Sequence, residues 1–482
     1  MNKITNWLGL TGICVIAGVL LFLSLSPGGA LITPLIVICI VMLPFVFIWR
    51  NISRDVLVVI LLFTLPFNID RVINLSPEHT GGAKGLIVSL NGIAIFLLYL
   101  LLLAEQIRQR NREFHGFWPL VWPFWAMTLM CVISMAGAAN RMFSLYEILE
   151  VIKMGCIFLY LANYVQQMGK LKFVLFFLFC GLFLECGVAL AQKAAGNPLN
   201  LNVLGAGDLA AIQQMGQSSV FRMGGTLGGA NALAWYLDYL LPLAAAFIFY
   251  PLSRIIRTGL LASLGAGCIV LFLTLSRGGW LGFIAGLTVL LIFQIKKTAL
   301  FKQIFIVIFV LLSMGLSALL LFGVQNPVRT RLTSDDNSSA YIRIPLMRVA
   351  YHMIKARPLT GHGVNNYVLA HSSYDDTDEQ VTIVFPYPVH NFYLQLAAET
   401  GLPGLLFLFW FLAGILVYLL KMIPKVKALD RTLFIGLTGG TLAALVQGMV
   451  ENASIGSYHL LPLWCFCGLA IGRIHANKAR IA

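Results

Sequence analysis

The chain has 482 residues, of which 59% are hydrophobic and only 11% are charged, and its mean hydropathy is +0.87. So few charged residues cannot cover the surfaces of several soluble domains, which excludes that class of protein. Basic residues outnumber acidic ones by 33 to 19, a net charge of +14 that would suggest nucleic-acid binding in a soluble protein. In a hydrophobic chain this excess indicates membrane topology, so we expect membrane lipids and no nucleic acid as partners.

Apolar runs long enough to cross a bilayer recur along the whole chain. A helix needs about 20 mostly apolar residues to span the hydrocarbon core. The sequence therefore predicts an all-α polytopic membrane protein with about 12 to 14 transmembrane helices. The candidate spans lie near residues 7–25, 31–49, 55–68, 86–104, 118–137, 145–165, 172–191, 230–250, 258–275, 279–295, 303–323, 404–420, 433–449 and 458–473.

The basic residues predict how these spans are oriented. If the N-terminus is cytoplasmic and the spans alternate, every short cytoplasmic loop is basic, as the positive-inside rule requires. These loops carry Lys3, Arg50, Arg54, Arg108, Arg110, Arg112, Lys170, Lys172, Arg254, Arg257, Lys296, Lys297, Lys302, Lys421, Lys425, Lys427, Arg431, Arg473, Lys478 and Arg480. Both termini are then cytoplasmic, and two long segments, about 192–229 and 324–403, lie on the opposite side.

Four regions follow in chain order. We expect N-terminal transmembrane helices over 1–191, central helices with two arginine motifs over 192–323, a long, partly helical loop over 324–403, and C-terminal helices over 404–482. The nine cysteines all fall in apolar runs, so neither a disulfide framework nor a zinc site is expected. We also expect no cofactor.

One helix is predicted inside the long loop, near Ser339 to Ala356. Asn337, Ser338 or Ser339 can cap it, and Pro358 ends it. Its apolar face carries Ile342, Leu346, Val349, Ala350 and Met353, and the other face carries Arg348, His352 and Lys355. This pattern is typical of a helix that lies on a membrane or covers a cavity, with a plain solvated basic face as the alternative. An acidic cluster follows at Asp375, Asp376, Asp378 and Glu379, and we expect it to be a flexible, solvated tip.

Two arginine motifs face the same side of the membrane as the long loop. Residues 221–234 combine Arg222 with four glycines, and glycine lets backbone amides approach an anion. Residues 276–281 place Arg277 between two closely joined spans, where an arginine is costly unless it faces a cavity or a partner. Because a guanidinium binds phosphate bidentately, both arginines are candidate diphosphate ligands. Pairing with carbonyl groups at a helix end is the structural alternative for Arg277.

The second half of the loop carries the remaining candidates. Arg343, Arg348 and Arg357 are candidate supporting residues, because topology alone does not demand arginine on this side. His390 and Asn391 stand at the mouth of an apolar run. A lone histidine near a membrane is usually not catalytic, but it can activate a sugar hydroxyl if a carboxylate or carbonyl group orients it.

The order of these motifs resembles the O-antigen ligase and polymerase superfamily. The chain has Phe-Arg…Gly-Thr…Asn-x-Leu-Ala over 221–234, Ser-Arg-Gly-Gly-Trp over 276–280, Arg-Pro-Leu-Thr-Gly-His-Gly over 357–363 and His-Asn-x9-Gly-x2-Gly over 390–404. The resemblance covers about residues 220–420. Its most specific part is the histidine motif with the long loop before it.

This resemblance implies a metal-independent glycosyltransferase of the bacterial inner membrane. Such an enzyme takes a glycan from undecaprenyl diphosphate on the periplasmic face. The resemblance further implies that His390, supported by Asn391, activates the acceptor hydroxyl. It implies that Arg222 and Arg277 hold the donor diphosphate, and that the anomeric carbon is inverted.

Three functions remain open at this point. A ligase would pass the glycan to lipid A-core and is slightly favoured, whereas a polymerase would extend a lipid-linked or exported polysaccharide with the same site residues. A transporter of lipid-linked glycans would instead need polar residues near mid-membrane. Its candidates are Glu147, Glu150, Lys153 and Glu185, of which the first three stand at helical spacing and are expected to pair with each other.

Overall fold

Helices form nearly all of the regular structure in the described part of the chain. The computed structural model describes residues 50–67, 69–108, 114–197, 199, 201, 212–215, 218–294, 337–378 and 380–481. The predicted spans near 7–25, 31–49 and 303–323 lie outside the described residues.

The elements follow one another in an order that agrees with the hydropathy pattern. The helices are α1 (Arg50–Phe63), α2 (Leu90–Arg108), α3 (Trp118–Ser134), α4 (Arg141–Tyr164), α5 (Met168–Ala195), α6 (Ala230–Ile248), α7 (Arg254–Leu273), α8 (Arg277–Gln294), α9 (Asn337–Ala356), α10 (Tyr367–Ala370), α11 (Val381–Val384), α12 (Phe392–Met422), α13 (Ala428–Gln447) and α14 (Leu461–Ile481). Short antiparallel hairpins pair β1 (Asp70–Ile73) with β2 (Leu86–Ser89) and β3 (Ile212–Met215) with β4 (Ser218–Phe221).

Several of these helices are suited to a bilayer. Within the described ranges, seven are long and apolar enough to cross a membrane, namely α2, α3 with its short extension to Gly137, α5, α6, α7, α12 and α13. The shorter α8 is also apolar, and α4 packs along α14. The prediction of an all-α polytopic membrane protein is therefore confirmed. The count of 12 to 14 spans includes runs outside the described residues and stays a prediction.

Helix α6 lies at the centre of the bundle. It packs against α7, α8 and α13, and nearly all of its residues are buried. Small residues permit such packing, because helices in a bilayer associate largely through close van der Waals contact. A Cβ added at Gly286 of α8 would lie only 2.9 Å from the carbonyl oxygen of Gly439 of α13. These close contacts align the ends of α6, α8 and α13.

Ion pairs join the helix ends that the charge pattern predicts to be cytoplasmic. Arg473 Nε lies 2.7 Å from Asp430 Oδ1, with both side chains fully buried. Lys170 Nζ lies 2.6 Å from Asp55 Oδ1 on the neighbouring helices. These ends share one end of the bundle, as alternating spans require, while the side of the membrane stays a prediction. Arg473 is therefore a buried packing residue rather than a solvated loop charge.

The long loop folds around a small core of its own. Helix α9 (Asn337–Ala356) confirms the predicted helix and begins at the first of the three predicted caps. Its buried face packs within the cluster of Leu346, Val349, Ala350, Met353, Tyr367, Val381, Val389 and Ala398. Because the apolar face packs on protein, the prediction that it lies on a membrane is wrong. Arg348 and Lys355 are exposed on the other face, as expected.

Hydrogen bonds order the acidic segment around Asp375. Its carboxylate accepts hydrogen bonds from the amides of Thr377 and Thr382, at 3.1 and 2.8 Å. Burial raises the pKa of Asp375, but hydrogen bonds from these two threonines outweigh it and hold the pKa at about 2. The predicted flexible tip is therefore wrong at Asp375, whose carboxylate orders the chain around α11. Glu379 lies outside the described residues.

Candidate functional site

The predicted motifs meet around the α13–α14 connection (residues 448–460). This connection follows the end of α13 that is distant from Asp430 and its buried ion pair. The chain segments that carry His390, Arg277 and Arg222 all contact this connection or the last residue of α13.

Asn391 fixes the histidine motif to this connection. Its Oδ1 accepts hydrogen bonds from the amides of Tyr393 and Leu394, both at 3.0 Å, so it is the N-cap of α12. Its Nδ2 donates to the carbonyl oxygen of Met449 at 2.9 Å. Asn391 therefore ends the loop, starts the helix and fixes the backbone next to His390, while its supporting role in the chemistry stays a prediction.

Glu451 is a carboxylate at this site that the sequence reasoning missed. His390 Nδ1 lies 3.7 Å from Glu451 Oε2, and Arg343 Nη2 lies 3.8 Å from Glu451 Oε1. The side chain of Glu451 is only 9% exposed, against 24% for His390 and 28% for Arg343. A lone acidic residue between two apolar runs was the available signal, because a buried carboxylate needs a partner.

Arg277 begins α8 beside the same connection. It is exposed, and the following Gly278 packs so closely that an added Cβ would lie 2.6 Å from Val450 Cγ2 and 3.8 Å from Glu451 Cγ. Its position adds a cation to the positive end of the helix dipole. The structure therefore places Arg277 next to the connection that carries Glu451. His390 contacts the same Glu451.

Arg222 reaches the site through buried hydrogen bonds. Its Nε donates to the carbonyl oxygen of Thr274 at 2.8 Å, and its Nη2 donates to Asn231 Oδ1 at 3.0 Å. Gln447, the last residue of α13, donates from Nε2 to the carbonyl oxygen of Asn231 at 3.1 Å. The carbonyl pairing considered for Arg277 thus describes Arg222, which supports the turn just before Arg277.

The glycine-rich segment after Arg222 has partners of its own. Thr226 donates its amide to Glu185 Oε1 at 2.8 Å and its hydroxyl to Glu185 Oε2 at 2.6 Å. The amide of Gly225 donates to Gln192 Oε1 at 2.9 Å. Two α5 side chains therefore occupy the amides of Gly225 and Thr226, which are not available to an anion. Anion binding by the rest of the segment stays a prediction. Glu185, a residue considered for transport, holds this loop instead.

The other two loop arginines take different places. Arg357 Nη1 donates to the carbonyl oxygen of Gly137 at 2.8 Å, which ties the loop to the end of α3. Arg348 is exposed on the outer face of α9. Of the three predicted supporting arginines, the structure brings Arg343 to Glu451 and gives Arg357 a structural contact.

The Arg-Pro-Leu-Thr-Gly-His-Gly motif docks on a kink in α12. His362 and Gly363 donate their amides to the carbonyl oxygens of Ala398 and Glu399, both at 3.0 Å. The kink lies at Gly401, whose φ of 75° and ψ of 170° suit glycine alone. Burial lowers the pKa of His362, which accordingly favours its neutral form. The glycines of both motifs therefore shape the contact between loop and helix.

Acidic residues of α4 also have structural partners. Glu147 Oε1 accepts from the amide of Gly456 at 2.7 Å, and its Oε2 accepts from the amide of Ala83 at 3.1 Å. Glu150 pairs with Lys153, as expected. Glu147 was expected to join that pair, but its carboxylate instead accepts from the amides of Gly456 and Ala83. The bond from Gly456 to Glu147 therefore fixes the α13–α14 connection to α4.

No group of three or more His, Cys, Asp or Glu side chains that could hold a metal ion occurs within the described ranges. The expected independence from metal and cofactor stays a prediction. The ionisable groups assembled at the site include the carboxylate of Glu451, the imidazole of His390 and guanidinium groups. This set can take a proton from a hydroxyl and bind a polyanion.

Comparison with known proteins adds a family. Residues 260–409 match the family model described as O-antigen ligase, and this segment includes Arg277, Arg343 and His390. Arg222 and Glu451 lie outside it. No curated protein matches the chain. The match confirms the resemblance to the O-antigen ligase and polymerase superfamily that was drawn from the motifs.

Proposed function

We propose that this protein is an inner-membrane glycosyltransferase that moves a glycan from undecaprenyl diphosphate to an acceptor hydroxyl on the periplasmic face. One observation carries the proposal. Residues 447–451 contact the segments that hold His390, Arg277 and Arg222. This arrangement supports a site in which His390 is the base and the two arginines supply positive charge. The family match supports glycan transfer as the chemistry.

In the proposed reaction His390 removes the proton of the acceptor hydroxyl. The acceptor oxygen then forms a bond to the anomeric carbon, while the bond from that carbon to the diphosphate oxygen breaks and its electron pair leaves with undecaprenyl diphosphate. A single displacement of this kind inverts the anomeric carbon. The exposed Arg277 would bind the departing diphosphate charge, which a guanidinium does bidentately.

Arg222 has a supporting part in this proposal. Its buried hydrogen bonds to Thr274 and Asn231 hold the turn that presents Arg277. The loss of Arg222 would therefore misplace the guanidinium of Arg277 as well as remove a positive charge near the diphosphate. A displacement of about 1 Å at a reacting centre is enough to reduce a rate roughly 100-fold.

Ligation to lipid A-core is the acceptor reaction that we propose, because the matching family model is described as O-antigen ligase. Polymerisation of lipid-linked repeats uses the same donor chemistry and differs from ligation in the acceptor. Transport is disfavoured, because Glu147 and Glu185 are engaged with backbone amides rather than aligned along a path.

The test supplies purified protein with a defined undecaprenyl-diphosphate glycan, without nucleotide or ion gradient. One reaction contains lipid A-core, and the other contains only more donor. Product on lipid A-core supports ligation, and a ladder of lengthening lipid-linked glycan identifies polymerisation instead. A folded protein that yields neither product, or that requires a gradient, contradicts the proposal.

His390→Ala is the variant that tests the base, with His352→Ala as the matched control. His352 lies in the same loop, where its Nδ1 is 3.5 Å from Asp376 Oδ1, away from Glu451. We expect His390→Ala to reduce transfer by about 100-fold or more, since a general base contributes on that order. The control should retain activity. Near-normal product from folded His390→Ala protein would show that another group is the base.

A further inference from the structure

Glu451 is a nearly buried carboxylate that faces cationic side chains from two separate parts of the chain. We infer that Glu451 is the positioning residue of His390: it orients the imidazole through Nδ1 and stabilises the imidazolium that forms during transfer. This inference rests on the proposed function, because it assigns a partner to the proposed base. Neither the family match, which ends at residue 409, nor the sequence motifs include Glu451.

The surroundings of His390 Nδ1 suit a partner carboxylate. The Nδ1 atom of His390 is buried and has no hydrogen-bond partner among the described residues. Glu451 Oε2 is 3.7 Å away, slightly beyond a hydrogen bond. Such contacts in an unliganded catalytic site often shorten only when substrate binds. A carboxylate that accepts from Nδ1–H fixes the tautomer in which Nε2 is free to take a proton.

The position of the backbone makes this pairing durable. The amide of Phe392, two residues after His390, donates to the carbonyl oxygens of Gly448 and Glu451 at 2.9 Å. The loop with the base and the connection with the carboxylate are therefore joined by main-chain hydrogen bonds. These bonds hold the two side chains next to each other, with Nδ1 and Oε2 3.7 Å apart.

The negative charge of Glu451 also suits it to stabilise the imidazolium of His390. When His390 takes the acceptor proton it becomes a cation, and a carboxylate at this distance favours that form. Other charged and titratable groups interact with Glu451: Arg343 from α9, and His459 on the same connection. Arg277 begins α8 beside this connection, where Gly278 packs against it. Without Glu451, His390 would gain its charge without the carboxylate that lies 3.7 Å from Nδ1, while the positive charge of Arg343 remained. The carboxylate therefore has a larger effect after proton transfer than before it.

Glu451→Gln is the test variant, because it keeps the size of the side chain and removes its charge. Glu451→Asp keeps the charge and withdraws it by one methylene, and Asp376→Asn is the matched control for removal of a loop carboxylate. Thermal unfolding of each purified variant establishes that it is folded. Transfer is then measured from pH 5 to pH 9 with the acceptor that the wild-type protein uses.

We expect Glu451→Gln to reduce maximal transfer at least about tenfold and to move the acid limb of the pH profile to lower pH. The sign follows from linkage: loss of the carboxylate destabilises the protonated imidazole, so the base becomes neutral at lower pH. Glu451→Asp should recover part of both effects. Asp376→Asn should match the wild-type profile.

A second readout does not depend on turnover. In protein with isotope-labelled histidine, the His390 resonance, assigned by its loss in His390→Ala, should titrate at lower pH in Glu451→Gln than in wild type. An unchanged titration and pH profile in folded Glu451→Gln would overturn the inference while leaving the proposed function intact. If the titration of His390 shifts in Glu451→Gln but the wild-type protein transfers no glycan, the pair is supported and the proposed function is contradicted. If Glu451→Gln does not fold, an Asp variant with wild-type titration and activity overturns the inference.

Discussion

The contact between the loop and the kink of α12 makes a sharp stability prediction at Gly401. In Gly401→Ala the new Cβ would lie 2.6 Å from the carbonyl carbon and oxygen of Leu359 and 2.9 Å from the carbonyl oxygen of Pro358. These are backbone atoms, so no rotamer change can relieve the clash. The φ of 75° with ψ of 170° adds strain, because residues with a Cβ scarcely populate that region.

The cost can be estimated from the contacts at risk. Backbone strain of this type costs about 1–3 kcal/mol. Moving the segment away breaks the bond from the amide of Leu402 to the carbonyl oxygen of Pro358 at 2.7 Å. The same movement would weaken the backbone hydrogen bonds from His362 to Ala398 and from Gly363 to Glu399, each of which contributes about 1 kcal/mol. We therefore expect Gly401→Ala to lower the free energy of unfolding of the loop by about 4 kcal/mol.

Hydrogen exchange across residues 358–366, together with the Tm of the purified protein, measures this effect. Gly414→Ala is the matched control, because Gly414 lies in the same helix and an added Cβ there would meet no atom within 4 Å. The control should be neutral or stabilising by up to about 1 kcal/mol, since alanine is the better helix former. If the amides of residues 358–366 exchange as slowly in Gly401→Ala as in the control, the explanation that only glycine fits at position 401 is wrong.

Two further predictions concern charged side chains. Arg473→Met should destabilise the protein by about 3–5 kcal/mol, because it leaves the buried Asp430 without its partner, and the double variant with Asp430→Leu should recover much of the loss in Tm. A double variant no more stable than Arg473→Met would contradict this account. Arg277→Lys should reduce transfer severely without lowering Tm, because lysine lacks the bidentate fork. Full activity in that variant would remove Arg277 from the diphosphate site.

Patterns that are local in the chain were predictable from sequence. Hydropathy indicated the membrane helices because a span must be apolar over about 20 consecutive residues, whatever surrounds it. The helix near 339–356 was predicted because its apolar residues recur at helical spacing and its caps lie at its ends, and α9 (Asn337–Ala356) confirms it. The motif order likewise indicated the superfamily, which the match over residues 260–409 confirms.

Local patterns misled where a partner came from a distant helix. The glycine-rich segment after Arg222 looked like an anion-binding loop, but Glu185 and Gln192 of α5 occupy two of its amides, those of Thr226 and Gly225. The apolar face of α9 looked suited to a membrane, but it packs on the loop's own core. Composition indicates that a group needs a partner, and it does not indicate which one.

From sequence alone one could read the class of protein, the membrane helices that the structure describes and the residues worth considering for chemistry. The arrangement of those residues depends on the fold, which brings His390 and Arg343 to Glu451, gives Arg222 a supporting place and gives Arg357 a structural contact. The physical reason is that bilayer burial acts on each segment separately. Charge pairing and hydrogen bonding, in contrast, depend on which helix ends the packing of α6, α8 and α13 places side by side.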